Sequence, residues 1–218
     1  FSADGSRIAF QSSRLGGGIY IVATLGGEER LLAPRGFSPR FSPDGKWIAY
    51  GVSEPTGSRI YVAPATGGPA SPISSDLYRA LSPVWSPDGR HLLFWAQRRR
   101  DSPPENNVDW VVAEVPGGPP VPTDARRVLL KEGFQAFHGL PSPDAWVTAG
   151  DRLLFHGIVG DSSNMWQVAI SPEGWRINGT PQRATFGRTD EAAAAVTADG
   201  RRVFSSRTMG ADIWSLPI

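Results

Sequence analysis

The decapeptide FSPDGKWIAY, residues 41–50, decides the fold. It recurs as WSPDGRHLLF at 85–94 and FSADGSRIAF at 1–10, and more loosely as WVTAGDRLLF at 146–155 and VTADGRRVFS at 196–205. The five copies align without gaps and keep glycine in the fifth place: Gly5, Gly45, Gly89, Gly150 and Gly200. Recurrence every roughly 40–60 residues is the mark of a repeat architecture. Each copy reads as a tight hairpin. Pro43 presets φ for a turn, Asp44 follows, and Gly45 takes the left-handed position before the next strand begins at Trp47. The repeated Asp4, Asp44, Asp88 and Asp199 are therefore expected to stabilise their own turns through short side-chain-to-backbone hydrogen bonds, since catalytic or metal-binding carboxylates would be singular or paired.

Working outward, each unit holds up to four short apolar runs. The second is the most complete: Pro39–Ser42, Trp47–Val52, Arg59–Ala63 and Ala70–Ile73, separated by SPDG, EPTG and TGG. The third repeats this with Val84–Ser86, His91–Ala96, Val108–Glu114 and Arg126–Leu130. Four short strands per unit is the pattern of a β-propeller blade. The predicted fold is all-β: one β-propeller domain over 1–218 with five recognisable four-stranded blades, the first and last incomplete. The units run approximately 1–33, 34–74, 75–131, 132–186 and 187–218. Because the first unit lacks its inner strand and the fifth its outer one, the reading also expects the chain to be a fragment of a longer one, with a six-bladed ring as the alternative to five blades.

Two aromatic ladders support the units. Third strands carry Tyr20, Tyr61, Trp110, Trp166 and Trp214; the tenth motif position carries Phe10, Tyr50, Phe94 and Phe155, and Ser205 breaks the series. One ring per unit is expected to fill the wedge between neighbours, not to form a sugar- or base-stacking platform. Trp95 and Trp175 lie outside both ladders and are expected nearer the surface.

Composition narrows the function. A net charge of +1 gives no drive toward nucleic acid or an anionic membrane, and no cysteine exists to form a disulfide or thiolate site. No apolar run is long enough to span a bilayer. No nucleophile elbow, P-loop, kinase motif set or zinc-peptidase helix occurs. His91, His138 and His156 sit in different units without ligand spacing. No catalytic residue, cofactor or metal is predicted.

The motif resembles the TolB-like propeller repeat, a relative of WD-type repeats. Phe41–Tyr50, Arg59–Ala63 and Gly67-Gly68 match its turn, its I-Y-V strand and its Gly-Gly turn, and Trp85–Phe94 matches equally well. The resemblance spans almost the whole chain, while 146–155 and 196–205 depart from it by lacking Ser-Pro. It implies a bacterial, non-catalytic scaffold, such as periplasmic TolB proteins that bind an envelope lipoprotein, or a sensor domain fused to a kinase or winged-helix regulator. A periplasmic or extracytoplasmic location follows from the same resemblance. The alternative it offers is the accessory propeller of a prolyl-oligopeptidase-like serine hydrolase whose catalytic domain lies elsewhere.

The binding face is read from loop lengths. SPDG and Gly-Gly turns belong to one face of the ring, and the two-to-three and four-to-one connections to the other. Both long insertions of the third unit, Gln97–Asn107 and Lys131–Pro143, are of the second kind. Arg98, Arg99, Arg100, Asp101, Phe134, Phe137 and His138 are the candidate contacts for a protein or peptide partner.

Overall fold

The computed structural model of the chain describes residues 1–14, 17–73, 76–103, 107–134, 139–147, 151–160, 162–187, 190–196 and 201–207. Strands β1 (Arg7–Ser12), β2 (Gly18–Ala23) and β3 (Arg30–Ala33) form a first antiparallel sheet. Strands β4 (Phe37–Phe41), β5 (Trp47–Glu54), β6 (Gly57–Pro64) and β7 (Ser71–Ile73) form the second meander. The third comprises β8 (Arg79–Trp85), β9 (His91–Gln97), β10 (Val108–Glu114) and β11 (Val121–Pro122). The helix α1 (Ala125–Lys131) precedes a four-stranded sheet of β12 (Pro143–Trp146), β13 (Arg152–Val159), β14 (Ser162–Ile170) and β15 (Ile177–Arg183). Strands β16 (Asp190–Val196) and β17 (Arg202–Arg207) make a final pair. The second and third meanders are not separate: a parallel bridge between Ser58 and Arg79 joins them into one eight-stranded sheet.

The motif folds as its residues dictate. In the 41–50 copy the Gly45 N–H donates to Ser42 O at 2.9 Å, and Gly45 has φ 69°. Asp44 Oδ1 accepts the Ser42 hydroxyl at 2.6 Å and the Lys46 N–H at 3.1 Å. The Trp47 N–H donates back to Ser42 Oγ at 3.0 Å. The same three side-chain bonds recur at Ser86, Asp88, Arg90 and His91, and again at Ser2, Asp4, Ser6 and Arg7. Asp4, Asp44 and Asp88 thus brace their own turns, as expected; Gly150, Asp199 and Gly200 lie outside the described residues. A further bond ties each turn to its neighbour on the same face: Thr24 N–H to Ser6 O, Ala65 to Lys46, and Val115 to Arg90, at 2.9, 2.7 and 2.8 Å.

The inner strands share a device that the sequence reading did not pick out. Each breaks register at the same place, between Phe37 and Arg40, Leu81 and Val84, Pro143 and Ala145, and Ala192 and Ala195. In the second and third units the break falls on Ser-Pro, with Ser38 at φ 50° and Ser82 at φ 55°. A bulge is where a strand tolerates proline, because the missing N–H is not asked to pair.

The aromatic ladders are only partly core: Phe10, Tyr61 and Trp166 are half-buried. Tyr50, Phe94, Phe155, Tyr20 and Trp110 are all buried. Trp110 meets Phe155 of the next unit edge-on at 5.4 Å, and its Nε1–H donates to Pro141 O at 2.6 Å. Trp214 lies outside the described residues. Trp95 is only 1% exposed, which corrects the expectation that it sits near a surface; it lies on β9 among Trp110, Leu93 and Val108. Trp175 is half-buried, with its ring 4.6 Å from His91 and edge-on to Trp146.

The fourth strand of the third unit is also corrected. Residues 126–130 are helical, and β11 is the two-residue strand before them. The short Val-Leu-Leu run reads as a strand in isolation, yet Ala125 and Leu129 are one helical turn apart and both fully buried. The helix start is capped from outside: the N–H groups of Asp124 and Arg126 donate to the Asp109 carboxylate at 3.0 and 3.1 Å. Its end is a Schellman motif. Gly133, at φ 80°, donates to Leu130 O and Phe134 donates to Leu129 O.

Candidate binding face

The Gln97–Asn107 insertion is held by its two ends. The Arg99 N–H donates to Asn107 Oδ1 at 3.0 Å, and Asn107 Nδ2 donates to Arg99 O and to Ser102 O. Gln97 Nε2 donates to Arg99 O at 3.1 Å, and both amide side chains are buried. The backbone of Arg98 is bonded on both sides, its N–H to Asn107 O and its carbonyl from the Tyr78 N–H. Arg98, Arg99, Arg100 and Asp101 are left exposed on this braced loop. Among the described residues, none of the three arginines makes an ion pair.

Phe134 does not join them. It is 3% exposed and stands edge-on to Phe155 and Trp166 at 5.2 and 4.9 Å. The Schellman turn at Gly133 directs it inward, and Gly157 makes room: a Cβ there would lie 2.7 Å from the Phe134 ring. The residue offered as partner surface is therefore a core residue that fastens the long link. Phe137 and His138 lie outside the described residues.

Two half-buried carboxylates escaped the sequence reading. Burial pushes Asp109 above the ordinary carboxylate range, against the N–H groups of Arg126, Asp124 and Trp110. Burial does the same to Asp144, opposed by the His156 N–H at 2.8 Å and by the Arg40 charge. Asp144 occupies the inner-strand bulge of its unit, where the second unit carries Arg40 one step along. His156 Nε2 and Ser163 Oγ are 2.6 Å apart on the adjoining strands, both half-buried. No group of three potential metal ligands occurs among the described residues. Nor is any described helix long and apolar enough to cross a membrane.

The carboxylates set a two-sided acid response. Hydrogen bonds from Ser2 and Ser6 hold Asp4 at about 2. The Ser42 hydroxyl and Lys46 N–H lower Asp44 likewise, and Asp88 is lowered by Ser86 and Arg90 although its burial works the other way. A depressed folded value means stability that is present above the unfolded value of about 3.9 and is lost as pH falls through the folded value. Asp109 and Asp144 have the opposite sign: protons bind the folded form more readily, so stability rises as pH falls toward the ordinary carboxylate range. The urea midpoint should therefore rise on mild acidification and drop below about pH 4. The Asp4→Asn, Asp44→Asn, Asp88→Asn triple variant should flatten the drop and leave the rise. A drop of unchanged steepness in that variant would remove the turns as its source.

No protein-family model matches the chain. A segment of 61 residues is 36% identical to an uncharacterized peptidase of Bacillus subtilis, YuxL, covering 27% of this chain and 9% of that protein. Among solved structures, a TolB of Agrobacterium tumefaciens superposes with a TM-score of 0.67 at 19% identity, over 97% of this chain and 73% of that one. TolB from Acinetobacter baumannii gives 0.66 at 22% identity, over 95% and 48%. A prolyl endopeptidase gives 0.54 at 12% identity, over 89% of this chain and 30% of the other. The chain thus spans under a tenth of its curated relative and about half to three quarters of the TolB structures. With the repeated turns, the inner-strand bulges and these superpositions together, the chain has the TolB-like β-propeller fold.

Proposed function

We propose that this chain is a non-catalytic propeller, with its units as five blades, that engages a protein or peptide partner through the face bearing the Gln97–Asn107 loop. The observation that carries this reading is the braced loop itself. Its backbone is held at Arg98, Arg99 and Ser102 by Tyr78, Gln97 and Asn107, so the exposed guanidinium groups are presented at a lower ordering cost than a floppy loop would carry on binding. Arginine forks favour carboxylate, which points to an acidic partner surface. Replacing Arg98, Arg99 and Arg100 together with serine should abolish capture of the partner in a pull-down from the native host. Melting should be nearly unchanged, because exposed substitutions cost within about 0.5 kcal/mol. Asn107→Ala should weaken capture as well, by releasing the loop. If both variants retain every protein the parent captures, the reading fails.

The accessory-propeller alternative draws on the YuxL segment and the prolyl endopeptidase likeness. It requires a nucleophile-elbow domain in the same gene product. A full-length native product that reacts with a serine-directed fluorophosphonate outside residues 1–218 would favour it over the interaction module.

A further inference from the structure

On the opposite face, a groove of about 430 Å³ runs between the first and second blades, a size within the usual range of ligand sites. Arg7 of the first blade forms one wall; Lys46, Trp47 and Pro64–Thr66 of the second form the other. Arg7 is anchored: its Nη2 donates to Gly45 O at 2.8 Å, and its guanidinium lies 5.1 Å from the Phe41 ring centre. A guanidinium has five donors, so an anchored Arg7 keeps further N–H groups for a ligand. Arg30 adds a second fixed cation at the edge, donating to Ala65 O at 2.5 Å. Asp44 is the one carboxylate in the lining; its Oδ1 accepts the Ser42 hydroxyl and the Lys46 N–H, and its Oδ2 lies 3.8 Å from Lys46 Nζ in an exposed pair that a ligand carboxylate would share. With Asp44 set against Lys46, Arg7 and Arg30 leave the groove net positive, beside the apolar Trp47, Pro64 and Ala65.

The repeat makes Trp47 informative. It holds the seventh place of the motif, the place of Arg7 and His91. Arg7 reaches across to the next blade, and His91 is covered by Trp175 of the next blade. Trp47 stays 43% exposed at the groove. An exposed tryptophan beside fixed cations is the composition of an interface anchor.

We propose that this groove docks an extended acidic segment of a partner protein, in which a carboxylate meets Arg7 and Lys46 and a neighbouring aliphatic or proline side chain lies on Trp47 and Pro64. The site is separate from the Arg98–Arg100 loop and does not depend on it. The test is fluorescence anisotropy of the intact chain with a labelled octapeptide of alternating leucine and glutamate, with the leucine–lysine octapeptide as control. The acidic peptide should bind, the basic one should not, and added salt should weaken binding. Lys46→Glu and Trp47→Ala should each weaken it about tenfold or more, while the triple serine variant of Arg98–Arg100 should bind as the parent does. Lys46 is largely exposed, so its replacement leaves the fold intact, which circular dichroism checks. Absence of binding, equal binding of the basic peptide, or undiminished binding by both groove variants overturns the proposal. Loss of binding confined to the triple serine variant does so too, by moving the peptide to the other face.

Discussion

Replacing Trp110 with alanine should lower the unfolding free energy by about 4 kcal/mol, the usual range for a buried tryptophan. The ring is fully buried where the third meander meets the β12–β15 sheet, edge-on to Phe155 and in one core with Leu129 and Phe134. Its Nε1–H also satisfies Pro141 O at 2.6 Å. Truncation removes the packing and strands that carbonyl. Trp110→Phe separates the two contributions: it keeps most of the ring and should cost about 1–3 kcal/mol for the unpaired carbonyl. Urea unfolding followed by far-ultraviolet circular dichroism measures both. Equal, small losses for the two variants would show that this junction is not where the blades are held.

Gly57→Ala should cost on the order of 3 kcal/mol, from a steric clash that also breaks the hydrogen bonds beside it. Gly57 has φ 140°, and a Cβ there would stand 1.8 Å from Tyr78 O. That carbonyl accepts the Ser58 N–H at 3.1 Å, and Ser58 Oγ exchanges bonds with the backbone of Ala80. An added methyl must push the chain at Tyr78 away and break the bridge joining the second and third blades. Gly133→Ala is the control: φ is 80°, nothing lies within 4 Å, and the cost should be only about 1–2 kcal/mol for the left-handed backbone. If the two variants melt alike, the bridge contributes little.

The turns were legible because they are local. Ser42, Asp44 and Gly45 satisfy one another within a few residues, so the chemistry of FSPDGK is complete on the page of the sequence. The ladders were legible because repetition reports burial. What escaped depends on partners distant in sequence. Asp109 caps a helix that begins sixteen residues later, and nothing around Asp109 announces that role. The helix was misread because three apolar residues in a row carry no period; only Ala125 and Leu129 taken together do. The candidate face was half legible. Loop length found Arg98–Arg100, but Phe134 looked available only while Gly133 was read as part of a loop and not as a helix terminator. Its signal was present in Leu-Lys-Glu-Gly-Phe, a left-handed glycine followed by an apolar residue. The groove at Trp47 was also signalled, by one aromatic in a place otherwise held by arginine or histidine.

The hydrogen bonds across the blade junctions differ in kind. Between the first and second blades they run from the long side chains of Arg7 and Arg30 to main-chain carbonyls. Between the second and third, Ser58 and Tyr78 meet through main-chain atoms over a glycine, beside side-chain bonds from Ser58 Oγ to Ala80 O and from Trp85 Nε1 to Arg40 O. For a lineage diversifying this scaffold, the two seams are unequal raw material. A point substitution can retune the first, altering its tightness and the groove beside it without disturbing either sheet. The second rests in part on a main-chain bond that only a movement of the chain can alter, so variation in partner preference should accumulate more at the first seam than at the second.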